Sequence, residues 1–125
     1  MALIDPAYEV SMGNPTAGML CISSGPHIER CNPSFLWSDD SRYLAVPQFF
    51  GLLARQRLLI VAFEDKRVFA SKEKAWFFQP ESFSCGQLTV TVNPFRSTRV
   101  LTFNIPSELS ARFTRLVRVP WPEGT

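Results

Sequence analysis

The clearest pattern in the chain is the strict alternation of polar and apolar residues from Gln87 to Val92. Leu88, Val90 and Val92 would share one face of a strand, with polar residues on the other face. The run Arg57–Phe63 is apolar at almost every position, which predicts a central strand that is buried on both faces. These two patterns indicate a mainly β protein.

Shorter strands are predicted around these two, separated by polar turns. The segments with a strand pattern are 7–12 and 19–23, expected to form an irregular hairpin, and 35–37, 42–46, 67–70, 76–79 and 98–104. Pro47 has no N–H to donate and is expected to end the strand before it. Residues 49–56 are interpreted as a connecting loop with some helical character, and residues 80–86 as a turn and loop.

A short helix is predicted over residues 106–119. Four apolar residues recur there at helical spacing: Leu109, Phe113, Leu116 and Val117. Ser107 is a plausible N-cap. Residues 113–119 also alternate between polar and apolar, so a strand over this segment stays an open alternative.

Length and composition indicate one globular domain. The chain has 125 residues, of which 46% are hydrophobic and 19% charged, and its ten prolines favour many short elements. Within residues 1–125 we distinguish an irregular N-terminal part (1–34), two strand-rich units (35–75 and 76–105) and the helix. The first residues show no signal-peptide pattern, and the three cysteines form no C-x-x-C motif. We therefore expect a cytoplasmic protein with reduced thiols.

The two strand-rich units repeat each other weakly. Leu44-Ala45-Val46 returns as Leu88-Thr89-Val90, and the run 58–61 returns as 100–103, so the period is roughly 40–45 residues. The segment Trp37–Ala45 resembles the blade signature of TolB-like and WD40-like β-propellers. Asp39 stands where that signature has Pro, and Ser41 where it has Gly.

This resemblance covers residues 35–70 well and 76–104 weakly, and it implies two antiparallel, blade-like sheets that serve as a protein-interaction scaffold without catalytic residues. A propeller typically needs about four to eight blades, so two blades cannot close a ring. The sheets would then keep free edges, which favour partner strands or a homo-oligomer.

Catalytic and metal sites are less well supported. His27 is the single histidine, and a Ser-His-Asp hydrolase could be built from it with Ser23, Ser24, Ser38, Asp39 and Asp40, but no G-x-S-x-G motif accompanies it. A zinc site could be formed by Cys21, His27, Cys31 and Cys85, but their spacing lacks the usual C-x₂₋₄-C pair of ligands. We expect no catalytic residue, no metal and no cofactor.

Positive charge is concentrated after residue 40. Residues 1–40 carry one base against five acids, and residues 41–125 carry twelve bases against six acids. Ten of the thirteen bases are arginine, which a GC-rich, bacterial-like coding bias also produces. The candidate partner-binding residues are Trp121, Arg112, Arg115, Arg118, Arg96 and Arg99.

The function that these observations favour is a non-catalytic protein–protein interaction module, such as an adaptor, an inhibitor or an immunity-type binder. Its partner would be another protein, with no membrane segment involved, since no run approaches the roughly 18 apolar residues that a membrane helix needs. Nucleic-acid binding through the C-terminal arginine cluster is the first alternative. A small hydrolase that uses His27 is the second.

Overall fold

The strand patterns are realised as two antiparallel sheets and one short helix, so the predicted fold class is confirmed. A computed structural model describes residues 2–5, 8–12, 18–22, 27–31, 34–50, 55–93, 98–105 and 107–116. The larger sheet is called sheet A and the three-stranded sheet is called sheet B.

Sheet A is a meander that begins in the N-terminal third. Its strand order is β1-β2-β3-β4-β6-β7-β8-β12, and β5 pairs with β6 on the same side as β4. The strands are β1 (Ala2–Asp5), β2 (Tyr8–Met12), β3 (Gly18–Ile22), β4 (His27–Cys31), β5 (Leu36–Trp37), β6 (Tyr43–Phe50), β7 (Arg55–Ala62), β8 (Arg67–Ala75) and β12 (Phe113–Leu116). The predicted N-terminal hairpin corresponds to β2 and β3, which pair antiparallel.

Sheet B is formed by the second strand-rich unit of the chain, and its strand order is β11-β10-β9. Its strands are β9 (Phe78–Ser84), β10 (Gln87–Val92) and β11 (Arg99–Asn104). Cys85 and Gly86 join β9 to β10 with φ values of 52° and 77°. Two successive positive φ values are the geometry of a type I′ turn, which matches the twist of the strands that it connects.

Strand β7 lies between two hydrophobic cores, as its apolar run predicts. Leu58 and Ile60 face sheet B and pack with residues such as Val90 and Phe103. Leu59 and Val61 face the opposite way and pack with a second cluster that includes Trp37. All four of these aliphatic side chains are 0% exposed, so the strand is buried on both faces.

The predicted end of β6 at Pro47 was wrong, and the loop predicted over residues 49–56 is shorter than expected. Pro47 does not end β6, which continues to Phe50. The carbonyl of Tyr43 accepts the N–H of Ser38, and the N–H of Tyr43 donates to Ser38 Oγ, so alternation turns the nitrogen of Pro47 to this same side, the side of β5. There β5 has ended and β4 joins only at Gln48, so no ladder bond is lost. Of the loop predicted over Phe49–Gln56, the two ends belong to β6 and β7, and residues 51–54 lie outside the described residues.

Residues 80–84 also belong to a strand, contrary to the predicted loop. Pro80 lies in β9, where the register with β10 shifts between Thr89 and Val90. A bulge of this kind accommodates a proline and bends the strand. The polar composition that indicated a loop reflects an outer strand with one solvated face.

The C-terminal helix is shorter than predicted. Helix α1 covers Leu109–Arg112, and Phe113–Leu116 is strand β12, so the strand alternative was right for that segment. Phe113 is 2% exposed and packs edge-on against Phe103 at a centroid distance of 5.1 Å. Pairing with β8 provides hydrogen-bond partners for the backbone groups of these residues. A longer helix would remove this strand from sheet A.

Two substitutions on neighbouring residues test the double burial of β7. Leu58→Ala and Leu59→Ala each remove a fully buried side chain, one from each core. We expect each to lower the free energy of unfolding by about 2–5 kcal/mol in urea denaturation. If one face of β7 were solvated, one of the two substitutions would be nearly neutral. That result would contradict the burial of β7 on both faces.

Candidate functional site

The residues of the proposed Ser-His-Asp set fall into different elements. His27 begins β4 and its side chain is not described, and Ser23 and Ser24 lie outside the described residues. Ser38 and Asp40 belong to the turn between β5 and β6. The Ser38 hydroxyl donates to Asp40 Oδ1 at 2.7 Å and accepts the N–H of Tyr43 at 3.0 Å.

This turn is organised by its own polar side chains. The hydrogen bond from Ser38 is the main cause that lowers the pKa of the Asp40 carboxyl, and the N–H of Arg42 adds to it. Ser41 takes a φ of 60°, a left-handed conformation that such turns require. Every described contact of Ser38 and Asp40 therefore stabilises the turn.

Asp39 ties the two sheets together. Its N–H donates to the carbonyl of Phe83 on β9 at 3.0 Å, and its carboxylate accepts the N–H of Cys85 at 3.2 Å. These bonds attach a turn of sheet A to the type I′ turn of sheet B. Asp39, which the sequence offered as a catalytic carboxylate, therefore has a structural role in joining the two sheets.

The two described thiols lie in different environments. Cys31 is 0% exposed in the core cluster of β4 and β5, and its Sγ lies 3.6 Å from the carbonyl oxygen of Ile28. Burial raises the pKa of the Cys31 thiol to about 12. Cys85 is exposed in the β9–β10 turn. Across the described residues, no group of three His, Cys, Asp or Glu side chains is placed to hold a metal ion.

Arg112 has mainly intramolecular partners. Its guanidinium pairs with Glu73 on β8 at 2.6 Å and with Glu108 at 3.4 Å. It also donates to the carbonyl of Thr102 on β11 and lies over the ring of Phe103 at 4.2 Å. Glu73, and then Glu108, raise the pKa of Arg112 despite the opposing effect of burial. This side chain joins sheet A, α1 and sheet B.

The other predicted partner-binding residues are separated by the fold. Arg99 lies on β11 and Arg115 on β12, and both are exposed. Arg96, Arg118 and Trp121 lie outside the described residues. The structure therefore does not unite the C-terminal arginines into one described cluster.

The exposed large hydrophobic side chains identify a different surface. Among the described residues these are Trp76, 56% exposed, and Val100, 63% exposed. Trp76 is fixed at one end of sheet B, because its N–H donates to Asn93 Oδ1 at 3.1 Å and Asn93 follows directly on β10. Val100 pairs with Thr91 at the same end of that sheet.

Two arginines lie at this end of sheet B as well: Arg55 contacts Trp76, and Arg99 precedes Val100 on β11 with its side chain on the opposite face. The four residues Arg55, Trp76, Arg99 and Val100 are called the basic end. The Arg55 guanidinium lies 5.4 Å from the centre of the Trp76 ring, in cation–π geometry. Neither Arg55 nor Arg99 is ion-paired with any acidic side chain that the structure describes. The basic end thus combines exposed apolar area with positive charge that has no intramolecular counterion among these residues.

The sequence analysis named Arg99 from this surface and missed the other three residues. Val100 could have been found from the alternation of β11, where it occupies the outward face together with Thr102 and Asn104. An aliphatic residue on an otherwise polar face is an anomaly in that pattern. Trp76 and Arg55 carry no such signal, since they meet only through the packing of two strand ends.

The environments of the cysteines lead to a test by alkylation. At pH 8 a pKa of about 12 instead of 9.0 gives Cys31 a thiolate fraction about a thousandfold smaller than that of an ordinary thiol. We expect iodoacetamide to modify Cys85 and to leave Cys31 unmodified in the folded protein, as followed by peptide mass mapping. Unfolding in guanidinium should make Cys31 reactive, and equal reactivity in the folded state would contradict its burial.

The contacts of Arg112 predict a structural effect that Arg115 lacks. Arg112→Ala removes two ion pairs and the bond to Thr102, and we expect it to destabilise the protein by about 1–2 kcal/mol. Arg115→Ala, on the neighbouring exposed strand, is the matched control and should stay within about 0.5 kcal/mol of the parent. Thermal unfolding monitored by circular dichroism would measure the stability of both variants. Equal stability of the two would show that the ion pairs and hydrogen bond of Arg112 do not stabilise the fold.

The remaining comparisons leave the basic end as the candidate site. No helix in the described ranges is long and apolar enough to cross a membrane. No protein-family model, no curated protein and no solved structure matches the chain. The candidate site is described by its geometry and chemistry: Trp76 is exposed with Arg55 over its ring, and Arg99 and Val100 are exposed at the same end of sheet B, on opposite faces of β11.

Proposed function

We propose that this chain is a non-catalytic protein-binding module, and that the basic end contacts an acidic surface of another protein. The observation that carries the proposal is the exposure of Trp76, with Arg55 over its ring, and of Val100 and Arg99 at the same end of sheet B. Tryptophan and arginine are enriched among the residues that dominate binding energy at protein interfaces. An adaptor, an inhibitor or an immunity-type binder would each use a surface of this kind.

The charge of this surface supports an acidic partner. Arg99 and Arg55 are exposed and have no ion pair within the described part of the chain, so a carboxylate of a partner would supply a bidentate counterion there. The apolar area of Trp76 would exclude water from such a pair and strengthen it. Affinity would then come from the aromatic anchor, and orientation and association rate from the arginines.

A protein partner is favoured over nucleic acid by the contacts of the arginines. Arg112, which the nucleic-acid hypothesis needs, is already paired with Glu73 and Glu108. Phosphate binding gains little from burying the aliphatic side chain of Val100, whereas the centre of a protein interface does. The salt dependence of binding separates the two, because contacts to several phosphates weaken steeply with salt.

The proposal predicts a charge-reversal pattern in affinity capture from host extract. Trp76→Ala and Arg99→Glu should each weaken recovery of a stoichiometric protein by at least about tenfold in titrated binding. Arg67→Glu is the matched control, since it reverses an exposed charge at the opposite end of β8 and should leave recovery unchanged. A partner captured equally by all three variants would refute the basic end as the interface.

A further inference from the structure

The two edges of sheet B differ in whether their backbone groups are satisfied. Along β9 the outward-facing N–H of Phe78 donates to Gln56 Oε1 at 2.9 Å, and Gln56 is completely buried. The outward carbonyl of Phe83 accepts the N–H of Asp39 at 3.0 Å. Pro80 between them has no N–H at all. This edge is closed by sheet A and by its own sequence.

The edge of β11 is closed only at its C-terminal part. The N–H of Asn104 donates to Glu108 Oε1 at 2.6 Å, and its carbonyl accepts the N–H of Glu108 at 2.8 Å. The carbonyl of Thr102 accepts from Arg112 at 3.2 Å. The one-turn helix and Arg112 thus cover this part of the edge, as natural proteins often cover edge strands.

The open part of this edge is centred on Val100. The backbone groups of alternate residues in a strand point to the same side, and those of Asn104 and Thr102 point away from β10. The N–H and carbonyl of Val100 therefore point outward as well, together with the N–H of Thr102. No described contact uses these groups.

We propose that the basic end binds its partner by β-strand addition, with an extended acidic segment of the partner pairing with β11 at Val100. This inference rests on the proposed function and specifies its mode. Main-chain bonds to Val100 and Thr102 would provide affinity, and alternate side chains of the added strand would provide specificity. An apolar side chain would cover Val100, which is 63% exposed, and a carboxylate would reach Arg99.

Pairing with a second copy of this chain is less favourable at the same edge. An antiparallel pair centred on Val100 would set Thr102 of each copy opposite Thr98 of the other, where Arg112 already occupies the Thr102 carbonyl. It would also bring two Arg99 side chains close together, and like charges across strands are destabilising. An acidic segment from another protein avoids the conflict between the charges. The Thr102 carbonyl stays bonded to Arg112, so the main-chain bonds of the added segment are those to Val100 and to the N–H of Thr102.

A short synthetic peptide of alternating Val and Glu serves as the probe, with an alternating Val and Lys peptide as its control. In NMR titrations of the full chain, we expect the Val–Glu peptide to bind at least about tenfold more tightly than the Val–Lys peptide. Binding should slow hydrogen exchange at the amides of Val100 and Thr102 by at least about tenfold. Absence of binding at millimolar peptide, or exchange unchanged at both amides, would overturn strand addition.

Two variants at one position separate the backbone from the side chain. Val100→Pro removes the outward N–H, which the fold does not use, while Val100→Thr keeps it together with a β-branched shape. We expect the proline variant to lose peptide binding by at least about tenfold, and the threonine variant to lose clearly less, because it gives up apolar contact but keeps the main-chain bonds. Unchanged circular dichroism of the proline variant verifies its fold, and equal binding by both variants overturns the proposal.

The outcomes for the two proposals are distinct. If Trp76→Ala and Arg99→Glu weaken capture of the host partner but Val100→Pro does not, the basic end stands as the interface and strand addition fails. If those two variants leave capture unchanged, the proposed function fails whatever the peptide does. A doubled mass in light scattering that Val100→Pro abolishes would assign the edge to a second copy and overturn the acidic partner.

Discussion

The burial of β7 on both faces is the constraint on which the rest of this structure depends. Its four central side chains, Leu58, Leu59, Ile60 and Val61, are fully buried and belong alternately to the two cores. Sheet B is needed to cover one face of β7, and the segment around β4 and β5 is needed to cover the other. A chain with this strand cannot remain a single exposed sheet, because about 25 cal/mol of stabilisation is lost for each Å² of apolar surface left in water.

Packing two sheets together creates edges whose polar groups must be satisfied, and a few side chains meet this need. Gln56 accepts the N–H of Phe78 from within the core, and Asp39 links the turns of the two sheets. Ser71 has a similar role inside sheet A, where its hydroxyl accepts the N–H of Leu58 at 2.9 Å across a shift in register. Buried or partly buried polar groups in this protein are therefore best understood as parts of the sheet architecture.

The need to satisfy backbone polar groups at the sheet edges also determines which groups stay exposed at the basic end. Arg112 and Glu108 cover one part of the β11 edge, so the open backbone groups that remain lie at Val100, an aliphatic residue that is 63% exposed. The covered part of the edge and the part proposed for binding thus belong to neighbouring residues of β11. An arginine that sequence analysis assigned to binding has structural partners, whereas a valine without any motif lies at the candidate interface.

Prediction from sequence succeeded where a residue pattern has one physical solution. Alternation in Gln87–Val92 and the apolar run in β7 led directly to strands with the observed faces. It failed where residues outside the segment determine its conformation. At Pro47 the strand continues, because the proline nitrogen faces a gap between β5 and β4. It failed also at Phe113–Leu116, where helical and extended patterns coexist and pairing with β8 selects the strand. The resemblance to propeller blades stays a prediction.

The sequence by itself determined the mainly β class, the central place of β7 and the inward face of sheet B, because side-chain periodicity is a local property of the chain. Only the tertiary structure decided which backbone groups stay unpaired and which charges lack a partner. Trp76 and Arg55 are 21 positions apart and meet because β7 and β8 pair at their ends. Such meetings depend on register and packing between distant segments, which no local pattern encodes.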